Sequence, residues 1–271
     1  MDELLMHPRT RTELVALAHD APQGLLLTAP HGTGKLTVAR RWAASLTSPE
    51  LIMVLEPDEK GTITIEATRT LYARTRSKQT GHQVVIIDHA EAMGAEAQNA
   101  FLKLLEEPRP NVTFMLTAPH TASLLPTILS RVQTVAVLPV AGTVLSDYAA
   151  KMHIDAQSLA QMLFVASGRA ATFVTLLRDP QAFEQHKATM QRAKQLLGAP
   201  VYERLAQVNN ISKDRAVAIA TLEAMAYMLT QQIRRAPADN LFAFADALQT
   251  CLQRLQQNGN VRAQLTHVFM Q

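Results

Sequence analysis

The residues best suited to chemistry lie in one short run, HGTGKLTVAR, from His31 to Arg40. Two glycines and a lysine there follow an apolar stretch and open an amphipathic one. A strand-to-helix loop of this kind binds phosphate, because successive backbone N–H groups and the helix N-terminus point at one anion. Gly32, Thr33 and Gly34 would let the backbone come close, and Lys35 would neutralise the β and γ phosphates. The full G-x-x-x-x-G-K-[ST] pattern is not met. Ala29 stands at its first glycine and Leu36 at its hydroxyl. Leucine cannot ligate magnesium, and Thr37 points about 100° away on a helix. A GTGK segment after a strand is also compatible with a plain tight turn.

A second cluster is VVIIDHAEAM. Asp88 ends an apolar run, where a carboxylate beside a phosphate loop holds magnesium through water. Its neighbour is His89, where a glutamate would ordinarily act as base on the attacking water. General-base assistance is worth roughly 10²–10⁴ in rate, so the exchange matters, and His89 reads as a surface histidine. Glu91 reaches the site only if the chain turns back. A third candidate is Arg131 in TILSRV, ordinarily a surface residue. Its interest depends on a neighbouring subunit presenting a phosphate to it.

These residues need an α/β scaffold to hold them. Five strands are predicted: 24–29, 51–56, 82–88, 112–118 and 133–139. The first, third and fourth have near-continuous apolar cores, as strands covered on both faces do. Helices fit between them, at 36–46, 64–78 and 95–108. In the last, Ala97, Ala100, Phe101, Leu104 and Leu105 share one helical face, and Pro108 blocks continuation. After Pro139 the strand signals stop and amphipathic helices follow, punctuated by ASGRAA, LRDP, LGAP, RRAPADN and NGN. The expected division is a core over 1–140, a helical segment over 141–199 and a second over 200–271.

The chain of 271 residues is 48% hydrophobic and 18% charged, which suits more than one packed core. Its net charge of +3 permits nucleic-acid contact without arguing for it, since basic runs stop at pairs such as Arg40-Arg41. Cys251 is the only cysteine, which excludes an internal disulfide and a cysteine zinc site. No leader and no run of roughly 18 apolar residues is seen, so a cytoplasmic protein without a membrane span is expected.

Taken together, GLLLTAPHGTGK, VVIIDHAEAMGAEAQNAFLKLLEEP and VTFMLTAPHTASLLPTILSR resemble, in order and spacing, the AAA+ subunits of bacterial DNA polymerase clamp loaders. QNAFLKLLEEP and LLPTILSR are the diagnostic pieces. The resemblance runs from about residue 22 to 136 and continues more faintly through ASGRAATF to QQNGNVRAQLTHVF. It implies an AAA+ P-loop core with a parallel sheet, then an all-helical lid, then a helical collar that packs subunits into a hetero-pentamer. Carried over by position, Gly32, Thr33, Gly34 and Lys35 match the phosphate loop and Asp88 the strand acid. Thr117 is the candidate polar sensor and Arg169 the second sensor, in the lid. Arg131 matches the trans-acting arginine finger, with Val132 in place of the usual cysteine.

Leu36 and His89 depart from the family's hydrolysing subunits, and the pattern is similar to its non-hydrolysing one. The resemblance thus implies a subunit that helps place a sliding clamp on primer-template DNA and lends Arg131 to a neighbour's ATP. Its own site is expected to bind ATP weakly or not at all, with magnesium coordination in doubt because its hydroxyl ligand is missing at Leu36, and with no zinc. The alternatives are an active clamp-loader ATPase subunit using Thr37 or a water, and, more distantly, an unrelated P-loop enzyme. Glu106 and Glu107, two carboxylates at the negative end of a helix dipole, are expected either to meet a cation or partner or to be an exposed, tolerated pair.

Overall fold

The computed structural model describes residues 4–75, 81–106, 110–152, 154–236, 239–256 and 259–270. Chain contacts divide it into two compact units, Met1–Leu177 and Arg178–Gln271.

The first unit is built on a parallel sheet of β1 (Gly24–Thr28), β2 (Ile52–Leu55), β3 (Gln83–Ile87), β4 (Val112–Ala118) and β5 (Gln133–Ala136). Their order is β2-β3-β4-β1-β5. The five expected strands all form, each within the predicted range. Leu25, Leu26 and Leu27 of β1, Val84 to Ile87 of β3 and Phe114 to Leu116 of β4 are almost wholly buried, because helices cover both faces. One face packs against α3 (Ile65–Thr75) and α4 (Ala95–Glu106) through Leu71, Phe101, Leu104 and Leu105. The predicted apolar face of α4 is therefore the core-facing one. The other face packs against α1 (Pro8–His19) and α2 (Lys35–Leu46) through Leu14, Val38, Ala39 and Trp42. The Trp42 indole N–H donates to the Leu14 carbonyl at 2.8 Å, which satisfies its one polar atom inside the core.

A short helix, α5 (Pro126–Leu129), starts with proline at its first position and leads into β5. After β5 come α6 (Gly142–Ala149), α7 (Ala156–Ala166) and α8 (Ala170–Arg178). Gly168, at the turn between α7 and α8, has φ +78, and a Cβ there would lie 2.8 Å from both the Pro139 Cβ and the Val140 carbonyl. Only glycine permits that approach, in which Val140 N–H donates to the Gly168 carbonyl at 2.8 Å.

The second unit is helical among its described residues: α9 (Pro180–Gly198), α10 (Val201–Ile211), α11 (Arg215–Arg235), α12 (Asp239–Gln256) and α13 (Val261–Phe269). Asp179, Asp214 and Asn260 cap three of these by accepting from backbone N–H groups of the first turn. Ala193 and Leu196 of α9 share a core with Leu222, Met225, Leu248, Leu265 and Phe269. The cut expected at 199–200 therefore falls between two helices of this unit. No helix of the described residues is long and apolar enough to cross a membrane.

Candidate functional site

In a parallel sheet the loops after the strands open at one edge, and ligands bind where the strand order switches direction. Here that place is the end of β1, between β4 and β5. The loop after β1, the end of β3 and the end of β4 supply the candidate residues.

Gly32 and Gly34 both take positive φ, +78 and +92, and Gly34 forms the N-cap of α2. The Thr33 hydroxyl donates to the Pro30 carbonyl at 2.6 Å, which tightens the turn. Lys35 is 6% exposed, and its ammonium donates to the carbonyls of Ala29 at 2.7 Å and Pro30 at 3.4 Å. Burial holds its pKa below the ordinary lysine value, with Glu91 and Asp88 pulling the other way. Leu36 packs on the core of α1, α2 and the sheet, as an apolar residue at that position would.

At the end of β3, Asp88 is buried and accepts from the Thr117 hydroxyl on β4. The same hydroxyl accepts from the His89 backbone N–H at 3.1 Å. Thr117, not Ala118, is thus the residue whose side chain meets the strand acid. Gln98 of α4 also joins two segments, donating to the Met93 carbonyl and accepting from Leu125 N–H.

The chain does turn back after Asp88. His89 sits in the left-handed region at φ +53, and a single 3₁₀ turn, 90–92, follows it. Glu91 returns so that its Oε1 lies 2.9 Å from His89 Nδ1. His89 is consequently not a free surface residue: its side chain is 41% exposed and its ring stacks on His31 at 5.2 Å and 13°. The Glu91 hydrogen bond raises the His89 pKa, while partial loss of solvation and the Lys35 charge lower that of His31, although the residue is exposed.

The turn that opens α8 sits on the phosphate loop. Thr172 N–H donates to the Gly32 carbonyl at 2.9 Å, and a Cβ on Gly32 would meet the Thr172 hydroxyl. Arg169 lies beside this contact, but its guanidinium is turned to the end of α7, donating to the carbonyls of Val165 at 2.9 Å and Ala166 at 3.1 Å. It satisfies carbonyls that a helix C-terminus leaves unpaired.

Arg131 belongs to the other edge. It precedes β5, whereas the phosphate loop follows β1, and these strands are parallel neighbours. Four residues of β5 at about 3.3 Å each put roughly 13 Å of strand between the two edges. Its guanidinium pairs with Glu106 at 3.0 Å and donates to the Thr127 carbonyl at 2.9 Å. Glu106 therefore meets an internal cation; Glu107 and Pro108 lie outside the described residues. Val132 points inward at 9% exposure, as a core residue.

The structure thus brings Gly32, Thr33, Gly34, Lys35, Asp88 and Thr117 to one edge and leaves Arg131 on the opposite one. The sequence alone does not assign Thr172 or the stacking of His31 on His89; it places Glu91 at the site only if the chain turns back, as it does. These contacts depend on the turn that opens α8, more than a hundred residues away, and on one left-handed residue, neither of which a local pattern announces.

A family model described as DNA polymerase III, delta subunit, matches residues 40–141. The DNA polymerase III subunit delta' of Pseudomonas aeruginosa is 31% identical over 199 residues, covering 64% of this chain and 60% of that protein. That of Haemophilus influenzae is 53% identical over 57 residues, covering 21% and 17%. The probable replication factor C subunit 5 of Caenorhabditis elegans is 33% identical over 147 residues, covering 48% and 40%. The chain spans 60% or less of the length of these relatives. Among solved structures, a DNA polymerase III gamma subunit-related protein of Thermotoga maritima superimposes with a TM-score of 0.54 at 16% identity, over 96% of this chain and 97% of its own. The RuvB Holliday junction branch migration motor of the same organism gives 0.55 at 13% identity, over 73% and 78%. At such identities the two structures speak for the AAA+ fold alone, while the family model and the delta' sequences show that the chain is similar, over part of its length, to delta-prime-type subunits of DNA polymerase III.

Proposed function

We propose that this chain is the delta-prime-like subunit of a DNA polymerase III clamp loader, which assembles with other clamp-loader subunits into a hetero-pentamer. The assembly would open a sliding clamp and place it on primer-template DNA. In that role the chain lends Arg131 to the nucleotide of a neighbour and does not hydrolyse ATP itself.

The observation that carries this reading is the separation of the two edges. Arg131 precedes β5 while the chain's own phosphate loop follows β1, so the guanidinium is poorly placed for its own site and open to a neighbour. Its side chain is 38% exposed. Three further features support a non-hydrolysing site: the missing hydroxyl at Leu36, the engagement of Lys35 with Ala29 and Pro30, and the seating of Thr172 on Gly32. An arginine finger stabilises charge in the transition state and is worth roughly 10³–10⁵ in rate. It needs no competence in its own nucleotide pocket.

The test is single-site ATP turnover in the reconstituted complex. Arg131→Ala is expected to slow the site it faces by about 10³-fold or more, with assembly intact by size-exclusion chromatography. Lys35→Ala is expected to leave turnover of the complex unchanged. Normal turnover with Arg131→Ala would overturn the proposal, and loss of turnover with Lys35→Ala would favour the active-ATPase alternative.

A further inference from the structure

The edge of the sheet that holds the phosphate loop also carries a cluster of two histidines and a carboxylate. His31 comes from the loop after β1, His89 from the left-handed residue after Asp88, and Glu91 from the 3₁₀ turn beyond it. Each offers a ligand atom, and these atoms lie within 4.8 Å of one another. Two imidazoles and a carboxylate are the donor set that late first-row divalent cations, zinc above all, select over magnesium.

We propose that His31, His89 and Glu91 form a binding site for a zinc-type divalent cation at the mouth of the phosphate loop. Tetrahedral zinc with bonds of roughly 2.1 Å holds its donors about 3.4 Å apart. His89 Nδ1 and Glu91 Oε1 are already at 2.9 Å, and the remaining separations need to close by roughly 1.4 Å at most. An independent observation concerns the second carboxylate oxygen. Glu91 Oε2 is buried and has no hydrogen-bond donor, the condition that a bound cation relieves. The His31 and His89 rings are stacked, so one ring must turn for both nitrogens to face one ion; His31 is exposed, which leaves it free to turn and lets a hydrated ion reach the cluster from solvent. The three residues satisfy the first coordination sphere in part, and water completes it.

The cation would tie the phosphate loop to the end of β3 by two short links. This proposal stands on the geometry of the first unit and is independent of any role in clamp loading. It also differs from the cysteine zinc module, which this chain lacks; that lack is why sequence reading expected no zinc.

The test is titration of the metal-free full chain with Co²⁺, read by the visible absorption of a nitrogen- and oxygen-ligated tetrahedral ion, followed by displacement with Zn²⁺. One equivalent per chain is expected. His31→Ala, His89→Ala and Glu91→Gln should each weaken it by more than about 100-fold, and Zn²⁺ should raise the Tm of the unsubstituted chain but not of these three variants. Lys35→Met should tighten binding, because it removes a cation beside the cluster. Melting in chelator establishes that each variant is folded, and His31→Ala, at an exposed position, is the variant least able to disturb the core. No saturation by either metal overturns the proposal. So does saturation that all three variants leave unchanged, which would put the ion on other members of the chain's nine histidines.

Discussion

Arg131 and Glu106 form a pair whose side chains are 38% and 49% exposed. Such a pair is worth about 0–1 kcal/mol, and Glu106 also sits at the negative end of the α4 dipole, at a cost of about 0.3–1 kcal/mol. These terms are similar in size and opposite in sign. Glu106→Gln is therefore expected to change stability by less than about 1 kcal/mol, which urea denaturation will show. Its importance is in holding the guanidinium, so a structural role cannot explain any larger effect in the assembled complex. His89 gives a second expectation at this scale. Its pKa is raised by the Glu91 hydrogen bond, so in the folded state it holds its proton above the ordinary value of 6.5. The sign follows: that contribution to stability is full below pH 6.5 and is lost as pH rises through the raised value. Proton NMR titration in chelator should show the His89 pKa falling in Glu91→Gln.

Elements are held together at this site by backbone that must come close. Gly168 lies at φ +78 against Pro139 and Val140, and it docks the turn between α7 and α8 on the segment after β5. Gly168→Ala combines backbone strain with a steric overlap against main chain, and is expected to cost about 1–3 kcal/mol. A thermal melt that left the Tm within a degree of the parent would overturn this. Some of these elements were legible in advance. The face of α4 could be read because Ala97, Ala100, Phe101, Leu104 and Leu105 recur at helical spacing; Ala100 is half-buried and the other four are buried. β1, β3 and β4 could be read because both their faces are apolar and buried. The short α5, the 3₁₀ turn after His89 and the contact of Thr172 with Gly32 could not, because each is set by what packs against it and not by a repeat in the chain.

Among the described residues the core forms one cluster on each face of the sheet in the first unit and one in the second unit, and each unit contains one convenient probe. Trp42, the only tryptophan, is fully buried in the first unit. Cys251, the only cysteine, is buried in the second, where burial pushes its thiol pKa up to about 11. A buried thiol of that pKa holds little reactive thiolate near neutral pH. Thiol labelling of Cys251 is therefore expected to await opening of the second unit, while Trp42 fluorescence follows the first. Leu222→Ala, at a fully buried position, should cost the second unit about 2–5 kcal/mol. Labelling of Cys251 should accelerate accordingly, and the Trp42 transition should stay where it was. A shift of both by the same amount would mean that the two units unfold as one.

What the sequence determined alone is the kind of protein and the set of parts. Local spacing suffices to place strands, helices, a phosphate-type loop and an arginine ahead of the last strand, since each depends on neighbours within a few residues. It also sufficed to show that the loop lacks a hydroxyl, because that is a matter of residue type. Which edge each part occupies was decided by the tertiary structure. Parallel pairing of β1 with β5 sends Arg131 and Lys35 to opposite ends of the sheet, and the left-handed turn at His89 brings Glu91 back to meet it. Both outcomes rest on contacts between segments far apart in the chain or on a single unusual dihedral angle, and neither leaves a periodic trace in the order of residues.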